Sequence, residues 1–148
     1  MAITQAMATS FKKELMTALH DFTTTTGNAF NIALFRATAS IVGTFGAATT
    51  NYSDMGADEA SGTNYTAGGQ ALTNVTPTSS GTTAYTDFAD EVFTNVTITT
   101  SGALIYNDTN ANRAVAVFDF GGDKTATAGD MTIIFPTADA SNAIIRLV

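Results

Sequence analysis

The chain has 148 residues, of which 45% are hydrophobic and only 13% charged, and its formal net charge is −7. That is long enough for one domain with its own core, and too apolar for a disordered chain. The six basic residues (Lys12, Lys13, Arg36, Arg113, Lys124 and Arg146) are too scattered to neutralise a phosphate backbone, so no direct nucleic-acid binding is expected.

Cysteine is absent, which excludes disulfides, thiolate metal sites and thiol chemistry. No basic region precedes a long apolar run at the N-terminus, and no stretch approaches the roughly 18 apolar residues of a membrane span, so neither a signal peptide nor a membrane partner is expected. Threonine is over-represented, with 28 copies. It is β-branched and favours strands, and its hydroxyl can face water. A surface polar through hydroxyls and amides suits close protein–protein packing, because burying Thr or Asn costs less than burying Lys or Glu.

Residues 1–28 read as an N-terminal helical segment and 29–148 as a β domain. Ile3, Met7, Phe11, Leu15 and Leu19 recur every four residues, one apolar stripe on a helix over residues 1–22. That stripe suits a helix covering one side of the β core, or an arm that docks on a neighbour and leaves the β domain folded without it. Phe30 to Phe35 reads as a short strand, and Ile41, Val42 and Phe45 as a weak one. Asn51 to Gly69, with four glycines among Ser, Asn and Asp, reads as a long loop. Further strands are expected at Ala71–Val75, closed by Pro77 to Gly81, and at Thr82–Phe88.

The pattern from Thr94 to Gly122 predicts a central hairpin. Val96 and Ile98 alternate with Thr97 and Thr99, and Ser101-Gly102 marks a bulge or bend. Asn107 to Asn112 should reverse the chain. In the returning run Ala114, Ala116, Phe118 and Phe120 share one face, and Val115 and Val117 occupy the other. A strand apolar on both faces belongs inside a sheet. Gly121 to Asp130 reads as a connection, Met131 to Phe135 as a strand stopped by Pro136, and Ala143 to Val148 as a final strand inside the sheet. The fold class expected is mainly β: an antiparallel β-sandwich or flattened barrel with one N-terminal helix.

No motif for catalysis, cofactor or metal survives scrutiny. Asp108 to Asn112 starts like a calcium loop, but the sixth and twelfth positions hold Arg113 and Asp119 and strands flank it. Gly121 to Thr125 lacks the P-loop spacing. His20 has no Ser or Asp partner at a recognised motif and reads as structural or solvated. Asp87, Asp90 and Glu91 cluster beside a turn and read as solvated acids, although a glycosidase would need such a pair. Asn-x-Ser/Thr at Asn51, Asn64, Asn74, Asn95 and Asn107 follows from composition.

Several segments, in order, resemble a family of small tailed-bacteriophage virion proteins. They are Phe30-Asn31-Ile32-Ala33-Leu34-Phe35, Ser61-Gly62-Thr63-Asn64-Tyr65-Thr66-Ala67-Gly68-Gly69, Gly102-Ala103-Leu104-Ile105-Tyr106-Asn107, the run from Ala114 to Lys124, and the run from Phe135 to Arg146. The likeness spans nearly the whole chain. It implies a non-enzymatic virion component made in the host cytoplasm. The first expectation is a head decoration (cement) protein on the capsid surface. Its partners would be the major capsid protein and copies of itself, a trimer among the arrangements. A head–tail connector or tail component, and a host-glycan binding module, are the alternatives. Met7, Phe11 and Leu15 on the helix, and Tyr52 and Tyr65 in the 51–69 loop, are the candidate contact residues.

Overall fold

The first strand pairings follow from the hairpin that the sequence predicts. In the computed structural model, which describes residues 3–36 and 45–148, β6 (Glu91–Asn107) and β7 (Arg113–Ile133) pair antiparallel across a turn. Ala111 and Asn112 take positive φ there, and the Asn107 side chain accepts the Asn110 N–H, the local bonding expected of Asn in a turn. β2 (Phe30–Phe35) pairs with β6 from Phe30↔Asn107 to Phe35↔Gly102, and β3 (Gln70–Ala71) pairs with β2. On the other side β1 (Ala6–Met7) pairs with Val117 and Ala116. The first sheet thus has the order β1-β7-β6-β2-β3. β6 and β7 are interior strands, as their two apolar faces require.

The second sheet has the order β4-β5-β8, from Asn74–Ser80, Thr83–Phe88 and Ile145–Leu147. The two sheets form an antiparallel sandwich with a short N-terminal helix. Phe30 of the first sheet lies 5.6 Å from Phe88 of the second, Phe22 stacks on Phe30 at 4.4 Å, and Phe135 closes against Phe88 at 6.0 Å. Each such buried aromatic removes enough apolar area to contribute about 1.5–3 kcal/mol.

Gly102 marks the expected bulge: the β6–β7 register shifts between Thr100 and Gly102. A Cβ there would strike the Phe118 carbonyl and meet the Phe35 ring at 2.8 Å, so only glycine lets the strands approach. Pro77 sits where the β4–β5 register shifts, and β4 is an edge strand, the two places a sheet tolerates proline.

Several expectations are corrected. The period-four stripe is not one helix: α1 covers only Thr9–Leu15, and Met7 belongs to β1. Beyond it the chain turns through Ala18 at φ 56°, which delivers His20 and Phe22 into the core. Tertiary burial outweighs local helical periodicity. Phe11, His20 and Phe22 are buried with residues of the β domain, so the N-terminal segment is packed as part of the domain and not as a separable arm.

Gly121 to Asp130 is not a connection; it continues β7, paired with β6, and the glycines fall where the register shifts. The strand expected at 71–75 is divided, because the chain passes from one sheet to the other between Ala71 and Asn74. The last strand lies at a sheet edge, paired among the described residues with β5 alone. Of the weak strand around Ile41 and Val42, those two residues fall outside the described ones, and Phe45 forms an isolated parallel bridge with Ile3.

Candidate functional site

An exposed apolar surface lies at the end of α1. Seven residues give this helix two turns, and Phe11 and Glu14 take its buried side. Leu15 and Met16 are therefore pushed outward, and Met16 is 82% exposed. Edge strand β8 brings Leu147 alongside, 56% exposed. Met7, Lys12, Leu15, Met16, Arg146 and Leu147 line a cleft of about 490 Å³. It joins, through Leu15 and Leu147, a second cleft of about 430 Å³ that runs past Ala18, Phe22, Pro77, Ala84 and Tyr85. Together they make an apolar groove with Lys12 and Arg146 on its rim.

Of the five candidate contact residues, Met7 and Leu15 line this groove and are half-buried. Phe11 does not: it is 0% exposed, edge-on to His20 and Phe22, and it offers no surface to a partner. Leu147 and Met16 complete the surface. Only their position beside α1 marks them, and that is a tertiary fact.

Tyr52 and Tyr65 are brought together elsewhere, around Glu59. The Tyr52 hydroxyl donates to Glu59 Oε2 at 2.5 Å, and the Tyr65 hydroxyl and the Gly68 N–H donate to Oε1 at 2.9 and 2.6 Å. Tyr65 also accepts the Leu34 N–H, and Tyr52 stacks on Tyr106 at 4.7 Å. Burial, reinforced by the Glu59 charge, pushes both phenols well above the usual tyrosine range, so they stay neutral donors. The segment from 51 to 69 is accordingly a tied structure. It opens with an Asn51–Asp54 capping box and turns through 3₁₀ geometry at Tyr52–Asp58. Both hydroxyls are bonded inside the chain; Tyr65 ties this segment to β2, and the Tyr52 ring packs it on β6.

His20 is structural, but far from solvated. Its Nε2 lies 2.8 Å from Glu14 Oε2 and its Nδ1 2.9 Å from Asn107 Nδ2. An amide NH₂ can only donate, so Nδ1 is the acceptor and Nε2 carries the proton. Burial pushes the His20 pKa down, against the Glu14 carboxylate that pulls it up. Burial also works to raise Glu14, but bonds from His20 and Arg113, the latter at 2.7 Å, outweigh it and hold the carboxyl below its ordinary range. The assembly is a neutral imidazole between an ionised carboxylate and an amide. It acts as a clip between α1 and the hairpin turn.

Asp87 likewise departs from expectation. It is fully buried, accepting the N–H groups of Phe88 and Ile144, and burial raises its pKa. It fastens the chain before β8 to β5, and Asp90 accepts the Phe135 N–H. Both acids serve main-chain donors. No group of three metal-ligating side chains occurs among the described residues, and no described helix is long and apolar enough to cross a membrane. Comparison with known proteins gives no match: no family model, no curated protein and no solved structure is recognisably similar to this chain.

Proposed function

We propose that this chain is a packing protein of a tailed-bacteriophage virion, a head decoration protein that stabilises the capsid by bridging major capsid subunits. The single observation that carries the packing role is the groove of Leu15, Met16 and Leu147, apolar, water-exposed and rimmed by cations, on a domain whose surface is otherwise rich in hydroxyls. Exposed contiguous apolar surface in a folded domain marks a contact site. The likeness of segments such as Phe118-Asp119-Phe120-Gly121-Gly122 to virion proteins supports the location. The mechanism is passive. Each copy buries modest apolar area, and repetition over a symmetric shell multiplies it into resistance to internal pressure.

The test is co-sedimentation of the purified chain with head shells that lack it. Saturable binding is expected, and Leu15→Asp with Leu147→Asp should abolish it while circular dichroism stays native. Shells that ignore the native protein would overturn the proposal. The connector or tail alternative would give a ring at one vertex in place of a lattice. The host-glycan alternative has one observation in its favour, an open cleft of about 450 Å³ with Arg36, Asp58, Glu59, Ser61, Thr97 and Thr99 among its lining residues. Binding to a panel of host surface glycans, lost in Arg36→Ala, would select it.

A further inference from the structure

The chain carries a second apolar surface, built from different residues. β1 pairs with the outer edge of β7 at Ala116 and Val117, Ala8, Thr50 and Asn51 bond it from Val115 back to Arg113, and among the described residues no strand pairs with that edge beyond Phe118. Phe120, Ile133 and Ile134 line two adjoining clefts there, and Ile134 is 76% exposed. A long open edge with apolar side chains is normally blunted by charge or covered. The charges around this one are mainly negative. Asp119 lines the surface, Asp90 is bound to the Phe135 N–H, and Glu91 pairs across from Ile133, against a single base, Lys124.

The first groove has the opposite rim. Lys12 and Arg146 line it and Lys13 is exposed on the same short helix, which sets half of the chain's six basic residues against one lining acid, Asp21. Lys12 and Lys13 enter no ion pair within the described residues. In a molecule of net charge −7, two copies repel unless their contact sets unlike rims together. One basic-rimmed and one acidic-rimmed apolar surface on the same chain meet that condition.

We infer that the chain assembles with further copies of itself, the Leu15–Leu147 groove of one copy seated on the Phe120–Ile134 surface of the next. A contact between two different surfaces propagates from copy to copy until it closes on itself. The inference rests on the reading of the groove as a contact surface; it adds the partner and that partner's face.

The test is sedimentation velocity of the full chain alone, from micromolar to several hundred micromolar, with three variants checked for native circular dichroism. Concentration-dependent growth in mass is expected for the native chain. Lys12→Glu with Lys13→Glu, and separately Asp119→Lys, should each weaken association at least tenfold. An equimolar mixture of those two charge-reversed chains should associate again, because one reversed rim then meets the other. Met16→Asp should weaken association in every mixture. A native chain that stays monomeric at several hundred micromolar would overturn the inference, as would charge-reversed chains that fail to rescue each other. If that monomer still binds head shells, the packing function stands and only the self-contact falls. If the chain self-associates but shells do not bind it, the reverse holds.

Discussion

Asn107→Ala tests the clip that joins the N-terminal segment to the central hairpin. Asn107 is 0% exposed and makes three bonds: to His20 Nδ1 at 2.9 Å, to Asn28 Oδ1 at 2.9 Å and from the Asn110 N–H at 3.0 Å. A net contribution of about 0.5–1.5 kcal/mol per bond, with a buried ring nitrogen left unpaired, gives a loss of about 3 kcal/mol. For a domain of this length that lowers the melting temperature by about 6–12 °C. Urea unfolding followed by circular dichroism reads the loss directly. The double variant with His20→Ala should cost less than the sum of the singles, by more than about 0.5 kcal/mol, because the two side chains share one bond. A loss under about 1 kcal/mol, or strict additivity, would refute the reasoning.

Acid should lower the protein's stability over two successive pH ranges. The folded state disfavours protonated His20, since a second ring proton would face the Asn107 NH₂, while the unfolded chain takes that proton near pH 6.5. Stability therefore falls as pH drops below that value, and His20→Ala should flatten the slope between pH 7 and 5. Glu14, held low, loses its share as pH falls further, below the ordinary glutamate range. Phe11→Ala should cost about 3–5 kcal/mol, as a fully buried ring, and deletion of residues 1–22 should leave a chain that does not fold cooperatively by calorimetry. Gly69→Ala should open the 51–69 segment to limited proteolysis, because φ is +75° and a Cβ would strike the Ile32 carbonyl.

The hairpin was legible because its code is local. Alternation at Val96 and Ile98, the Asn-rich turn and Gly102 each act on neighbours in the chain, and the structure keeps all three. The N-terminal stripe misled because Ile3, Met7, Phe11 and Leu15 are all apolar for different reasons: one bridges Phe45, one extends an edge, one enters the core and one lines a groove. Gly121 and Gly122 read as a turn, but pairing with β6 carries the strand through them. Glu59, Asp87 and Asn107 looked like ordinary polar residues. Their importance lies in burial beside donors supplied from other parts of the fold, such as Ile144 for Asp87, which no spacing reveals. The groove was half legible, with Met7 and Leu15 named by periodicity, and Leu147 and Met16 placed only by the packing of β8 beside α1.

The count of this chain per purified particle, measured by quantitative mass spectrometry against the major shell protein, tests the central claim most directly. A decoration role predicts on the order of hundreds of copies, set by the symmetry of the shell. About a dozen would move the chain to the connector, and none at all would contradict the account.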